Sequence, residues 1–115
     1  MEQLDEKVLI VEGLSDKKRV ATVAKEPLEI ICTNGTIGLS KMDELEESLF
    51  GKDVYVLVDA DPAGEKLRKL FKQEFPEAKH LYIDREYKEV EAASYAHLAK
   101  VLLRADIEVH REFLS

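Results

Sequence analysis

Residues 54–65 read VYVLVDADPAGE, an apolar run that stops abruptly at two aspartates, a proline and a glycine. Residues 8–16 read VLIVEGLSD and repeat the pattern, with Glu12 and Gly13 directly after the apolar run. Apolar runs rich in valine and isoleucine are typical of strands buried on both faces of a sheet. We therefore predict two buried strands that deliver carboxylates to one edge of a sheet.

Strand and helix patterns alternate along the rest of the chain. We predict strands at residues 7–12, 28–33, 53–58 and 79–83, and helices at 15–24, 41–50, 62–75 and 90–105. This alternation predicts an α/β, Rossmann-like fold with a mainly parallel four-stranded sheet and helices on both faces. The pattern does not decide the structure of residues 106–115.

Size and composition indicate a single domain, residues 1–115, large enough to bury its own core. The single cysteine, Cys32, forms no internal disulfide, and we interpret it as a small buried residue of a cytoplasmic protein. The three histidines lack the spacing of a structural zinc site. We expect no membrane span, because no apolar run is long enough, and the acidic amino terminus is unlike a signal peptide.

The net charge of −7 argues against a large, non-specific nucleic-acid interface, because such binding depends on neutralising phosphates. It does not exclude a nucleic-acid enzyme, since basic residues follow both acidic motifs. The candidates for phosphate binding are Lys17, Lys18, Lys66 and Arg68. Solvated helix faces explain these residues equally well, so both interpretations stay open.

Three acidic residues follow the two predicted strands. Asp59 and Asp61 are two residues apart, so their side chains point to the same side of an extended backbone. Glu12 joins them if its strand is a neighbour in the sheet, because parallel strands end at the same edge. Two or three carboxylates are enough to bind magnesium together with a substrate phosphate. Each motif alone also has a local explanation, such as a helix cap at Asp61, but their equivalent positions favour a site.

Two glycines and a further aspartate accompany these acids. Gly13 and Gly64 allow backbone N–H groups to approach an anion, and the helix that starts at Pro62 directs its positive end to the same place. Asp16 has two open interpretations. It either supports the site, through Gly13 or a second metal ion, or only stabilises the first turn of its helix.

The motifs VEGLSD (residues 11–16) and DADPAG (residues 59–64) resemble those of the Toprim domain. That domain is shared by bacterial primases, type IA and type II topoisomerases, overcoming-lysogenization-defect nucleases, RecR-type repair proteins and ribonuclease M5. The resemblance spans residues 7–83. The second motif is similar to that of primases, and residues 61–68 with TNG at 33–35 are closer to ribonuclease M5.

The resemblance implies phosphodiester chemistry with Mg²⁺, for which Mn²⁺ can substitute. Asp59 and Asp61 would bind the metal, Glu12 would act as general acid or base or as a further ligand, and the basic residues would contact phosphates. A topoisomerase mechanism is not favoured, because Ala63 stands where type IA enzymes carry another acid. The tyrosines, Tyr55, Tyr82, Tyr87 and Tyr95, are interpreted as packing residues.

These observations predict a metal-dependent nuclease that acts on nucleic acid, with RNA slightly favoured over DNA. The alternative is a non-catalytic Toprim module that binds in a nucleic-acid processing complex, through a partner protein or a homodimer. A phosphoacceptor receiver domain is a third interpretation. It is disfavoured because the fourth strand ends in Ile83-Asp84-Arg85, without the lysine that receivers use.

Overall fold

Four parallel strands form a single sheet: β1 (Lys7–Val11), β2 (Glu29–Cys32), β3 (Asp53–Leu57) and β4 (Lys79–Leu81). The computed structural model describes residues 7–34, 39–84, 86–87 and 89–114, without the side chains of residues 39 and 40. The strand order is β2-β1-β3-β4, so β1 and β3 are the central neighbours. Ile10 aligns with Val56, which places the carboxyl ends of these two strands side by side.

Helices connect the strands and cover the sheet. They are α1 (Leu14–Val23), α2 (Leu39–Ser48), α3 (Pro62–Glu74) and α4 (Tyr95–Arg104), with short 3₁₀ turns at Val90–Ala92 and Arg111–Phe113. Each of the first three helices links two parallel strands, as such connections require. No helix in the described ranges is long and apolar enough to cross a membrane.

Alternating residues of the central strands face two separate cores. On one face, Leu9 and Leu57 pack with residues of α1 and α4, among them Val20 and Leu102. The opposite core contains Val8, Ile10, Val56, Met42, Leu67 and Phe71, the last three from α2 and α3. The predicted parallel sheet with helices on both faces is therefore confirmed.

The carboxyl-terminal third differs from the prediction in one element. Residues 90–105 were predicted as one helix, but a 3₁₀ turn at Val90–Ala92 is followed by a separate helix, α4. The helix starts late because the Ser94 side chain accepts a hydrogen bond from the His97 N–H and so caps it. The undecided tail folds onto α1, where Val109 pairs with Ala24. Predictions for residues 1–6, Gly35 and Arg85 lie outside the described residues.

Candidate metal and nucleic-acid site

Glu12 and Asp59 meet at the carboxyl ends of the two central strands. Glu12 directly follows β1, and Asp59 lies two residues beyond β3. The Asp59 N–H donates a hydrogen bond of 2.8 Å to Glu12 Oε1. A hydrogen bond with the Glu12 side chain lowers the pKa of Asp59 and so opposes part of the rise that burial causes. The predicted convergence of the two motifs is therefore present, and it depends on β1 and β3 being neighbours.

Asp59 is fixed by a contact that the sequence does not reveal. Its Oδ1 accepts a hydrogen bond of 2.8 Å from the Val90 N–H, at the start of the 3₁₀ turn. The residues between β4 and α4 thus reach back to the end of β3. Because the donor is a backbone group, no residue type at this position could have indicated the contact.

Asp61 belongs to the same strand end and also begins α3. Its Oδ1 accepts a hydrogen bond of 2.7 Å from the Gly64 N–H, and Pro62 occupies the first turn. The local explanation, a helix cap, is therefore correct for this residue. Asp61 is nevertheless near enough to raise the pKa of Glu12 and of Asp59 by charge repulsion. The Asp61 side chain thus caps a helix and also contributes to the negative electrostatic potential around Glu12 and Asp59.

Close contacts of Gly13, Asp16 and Gly64 surround the acidic residues. The Gly13 N–H donates to Asp16 Oδ2 at 3.1 Å. This bond holds the Gly13 loop and also caps the first turn of α1, so it fits both interpretations of Asp16. Gly64 packs so closely on the Asp59 backbone that an added Cβ would lie 1.9 Å from the Asp59 carbonyl oxygen. Both glycine amides are thus bonded to carboxylates of the chain itself. These two N–H groups are therefore occupied, and an anion at either helix start would have to use other backbone N–H groups.

Burial makes these carboxyl groups weaker acids than usual. Partial burial is the main cause that raises the pKa of Glu12, Asp16 and Asp59, and the neighbouring carboxylates raise it further. Backbone hydrogen bonds from Asp59, Gly13 and Val90 oppose this rise at the three groups respectively. Their ionised forms are therefore destabilised, and a cation bound between them would relieve that repulsion.

We call Glu12, Asp59 and Asp61 the acidic cluster. Its donors are hard carboxylate oxygens, the kind that magnesium prefers, so the residues present fit a divalent metal ion. The oxygens of all three side chains do not lie within 4.8 Å of one another, since backbone N–H groups hold one oxygen of each. Such a set would bind the ion with part of its water shell retained, as is usual for magnesium.

A second acidic group lies at the opposite edge of the sheet. Among the described residues, Asp43, Glu46 and Glu74 bring carboxylate oxygens within 4.8 Å of one another. Asp43 and Glu46 are exposed on α2, while Glu74 ends α3. Their spacing on α2 was visible in the sequence, but the approach of Glu74 was not. Exposed acids of this kind are common without a ligand, so we assign no role to them.

The predicted phosphate-binding residues separate into two groups. Lys17, Lys18 and Lys66 are exposed on the first turns of α1 and α3, and none forms an ion pair with a described residue. Arg68 is only 2% exposed, and its guanidinium donates to the carbonyl oxygens of Val58 at 3.3 Å and Leu81 at 2.6 Å. Arg68 therefore lies inside the protein, and neither a phosphate-binding rim nor a solvated helix face describes it, because two strand ends engage its donors.

Comparisons with known proteins agree with this geometry. The family model of the Toprim domain matches residues 7–94. The uncharacterized protein YusF of Bacillus subtilis (strain 168) is 59% identical over 110 residues, which cover 96% of this chain and 75% of that protein. A solved structure of a small TOPRIM domain protein from Bacillus stearothermophilus has a TM-score of 0.96 at 58% identity, and covers 98% of this chain and 96% of its own.

More distant similarity connects the chain to an enzyme family. Ribonuclease M5 1 of Ligilactobacillus salivarius (strain UCC118) is 35% identical over 78 residues, or 66% of this chain. Ribonuclease M5 of Bacillus anthracis is 27% identical over 110 residues, or 91% of this chain. The matched segments cover 40% and 58% of those two proteins. The chain thus spans only part of the length of its ribonuclease M5 relatives.

Proposed function

Since the chain belongs to the Toprim family, we propose that it carries out magnesium-dependent phosphodiester cleavage in nucleic acid. The observation that carries the proposal is the contact between Glu12 and Asp59 at the ends of β1 and β3. Partly buried carboxylates with raised pKa at the carboxyl edge of a parallel sheet are typical of a functional site.

Asp59 and Asp61 are the residues that would hold the metal ion, with Mn²⁺ as a substitute for Mg²⁺. When bound, the ion would neutralise phosphate charge and acidify a water molecule. The Val90 N–H and the Gly64 N–H each hold one carboxylate oxygen of these aspartates. The remaining oxygen of each side chain is then positioned for a ligand without reorganisation of the backbone.

Glu12 is suited to general acid or base catalysis. Burial raises the pKa of Glu12 above its ordinary value, and Asp59, Asp61 and Asp16 add to the effect. A carboxyl group with a raised pKa takes up and releases a proton closer to neutral pH. Its bond from the Asp59 N–H keeps Oε1 oriented, so the second oxygen, Oε2, is the one proposed to exchange the proton.

Three exposed lysines are proposed to contact the phosphates of the substrate. Lys17 and Lys18 lie in the first turns of α1, directly after the Glu12 motif, and Lys66 lies in the first turns of α3. RNA is our preferred substrate, because proteins named ribonuclease M5 are among the relatives. DNA remains the alternative polymer for the same chemistry.

A cleavage assay tests this proposal. Purified chain would be incubated with single- and double-stranded RNA and DNA, with Mg²⁺, Mn²⁺ or EDTA. We expect metal-dependent cleavage that falls by about 100-fold or more in both Glu12→Gln and Asp59→Asn, the usual effect of removing a general acid or base or a metal ligand. Asp43→Asn, in the exposed acidic group at the other edge, is the matched control and should retain activity.

The second candidate function is a non-catalytic module that binds nucleic acid together with a partner protein or a second copy. The net charge of −7 favours it, since one such chain offers little surface for phosphates. Thermal unfolding with and without Mg²⁺, combined with the cleavage assay, separates the two candidates. Folded protein that Mg²⁺ stabilises, but that cuts none of the substrates, would contradict the nuclease proposal and support the module.

A further inference from the structure

Tyr82 is an exposed aromatic residue next to the acidic cluster. Its ring covers the Arg68 guanidinium, with Cζ 4.0 Å from the ring centroid, and its side chain is 56% exposed. Arg68 is itself 2% exposed. One face of the ring therefore packs on a buried cation, while more than half of the residue stays exposed to solvent. The prediction that Tyr82 is only a packing residue is incomplete, since packing accounts for one face of the ring.

Arg68 ties this ring to the strand end that carries the acids. Its guanidinium donates to the carbonyl oxygens of Val58 and Leu81, the residues directly before Asp59 and Tyr82. Leu57 pairs with Leu81 across β3 and β4, so Tyr82 leaves the sheet level with Val58. Neighbouring strands are about 4.8 Å apart, which places the Tyr82 backbone close beside the segment that leads into Asp59.

A groove that this ring helps to line lies between β4 and the carboxyl end of α4. It has a volume of about 270 Å³ and is lined by His80, Leu81, Tyr82, Val101, Arg104 and Ala105. Small-molecule sites usually measure about 300–1,000 Å³, so this groove suits one flat ring system rather than a large ligand. Exposed Arg104 adds a positive charge at its wall, where a phosphate attached to that ring system would be favoured.

We propose that Tyr82, backed by Arg68, is a stacking platform for one unpaired base of the nucleic acid that the acidic cluster acts on. The inference rests on the proposed function for the identity of the ligand and adds that the ligand is single-stranded or looped at this point. A ring already immobilised on a buried guanidinium loses little conformational freedom when a base stacks on it. In a duplex the faces of a base are covered by its neighbours, so the platform discriminates against paired nucleotides.

A fluorescence titration tests the stacking directly. The chain contains no tryptophan, so Tyr82→Trp introduces a single reporter at the platform. Phe50→Trp is the matched control, because Phe50 is 90% exposed and precedes β3 at the opposite edge of the sheet. With EDTA present to prevent metal-dependent cleavage, we expect a single-stranded oligonucleotide to quench the first variant and not the second. Equal quenching of both, or of neither, would overturn the proposal.

Binding affinity gives a second, independent readout. Tyr82→Ala should bind a single-stranded oligonucleotide about tenfold more weakly, whereas Tyr82→Phe, which retains the ring, should stay within about twofold of the parent chain. Phe50→Ala should bind as the parent does. Unchanged affinity in Tyr82→Ala, or an equal loss for blunt duplex, would refute the platform. If the parent chain cleaves nucleic acid but Tyr82→Ala binds it as tightly as the parent does, the platform is refuted and the nuclease proposal is unaffected. If Tyr82→Ala binds more weakly but the parent chain cleaves nothing, the platform is supported as part of a non-catalytic module.

Discussion

At the scale of single residues, each acid of the cluster has a structural role besides the chemical role that we propose for it. Asp61 caps α3, Asp59 accepts a hydrogen bond from Val90, and Glu12 accepts one from Asp59. The local and the functional interpretations of these residues are therefore not exclusive. A backbone N–H holds one oxygen of each carboxylate and positions the side chain. The proposed function assigns the chemistry to the other oxygen, as expected of a preorganised site.

His80 is a titratable residue whose folded state differs strongly from its unfolded state. Burial, followed by the positive charge of Arg68, lowers the pKa of His80 from 6.5 to about 4. Between these values the unfolded chain binds a proton that the folded chain does not. The free energy of unfolding should therefore rise with pH from about 4 to 6.5. The rise ends above pH 6.5, where His80 is neutral in both the folded and the unfolded chain. We expect about 1–2 kcal/mol, less than the full shift implies, since the side chain is partly exposed.

Urea unfolding at several pH values between 4 and 7 measures this effect. The comparison of the parent with His80→Gln isolates it, because Glu12, Asp16 and Asp59 titrate in both proteins and act in the opposite direction. His110→Gln, at an exposed position, is the control for the effect of a His→Gln substitution on overall stability. If the free energy of unfolding of His80→Gln depended on pH as that of the parent does, His80 would be protonated as readily in the folded as in the unfolded state.

At the scale of secondary-structure elements, Gly64 sets how closely the start of α3 packs on the end of β3. An added Cβ would lie 1.9 Å from the Asp59 carbonyl oxygen, and only a backbone shift could relieve this contact. Gly64→Ala should therefore lower the free energy of unfolding by about 1–3 kcal/mol. It should also move Asp59 and reduce stabilisation by Mg²⁺. Thermal unfolding with and without Mg²⁺ measures both effects.

Gly13 offers the matched comparison. A Cβ there would meet Asp16 Oδ2 at 3.6 Å, an ordinary contact, so Gly13→Ala should change stability by no more than about 0.5 kcal/mol. If both alanine variants were equally stable, the close approach at Gly64 would not be a constraint in solution. If both were equally unstable, the close approach of Gly64 to the Asp59 carbonyl oxygen would not explain the loss, because Gly13 has no such contact.

The elements that the sequence predicts well are those with strong local patterns. The strands that carry Glu12 and Asp59 stand out because continuous apolar runs end in turn residues. The start of α4 was missed because a tertiary contact overrides the local pattern, since the Val90 N–H bonds to Asp59 and Ser94 provides a later cap. Likewise Arg68 looks like any basic residue of an amphipathic helix. Its burial depends on two strand ends that its own helix does not contain.

At the scale of the whole molecule, the site depends on strand order. Glu12 and Asp59 are 47 positions apart in the chain and meet because β1 and β3 are neighbours at the centre of the sheet. The sequence gives the strands and, through the Toprim resemblance, their expected arrangement. Local pattern alone does not exclude an order in which β2 separates them. The convergence of the acidic cluster was thus a conditional prediction, and the observed topology meets its condition.

The distribution of charge over the whole chain leads to a last prediction. With a net charge of −7, binding to nucleic acid should rest on the exposed lysines that follow the two acidic motifs, namely Lys17, Lys18 and Lys66. Each lysine that neutralises a phosphate releases a counterion. Its replacement by alanine should therefore reduce the slope of log affinity against log salt concentration by about one in magnitude. Lys52→Ala is the control, since Lys52 precedes β3 at the other edge and pairs with Glu29 at 3.3 Å. Fluorescence anisotropy over a range of salt concentrations measures these slopes. A parent slope near zero, or equal slopes in the Lys66→Ala and Lys52→Ala chains, would indicate that a partner contacts the nucleic acid instead of these lysines.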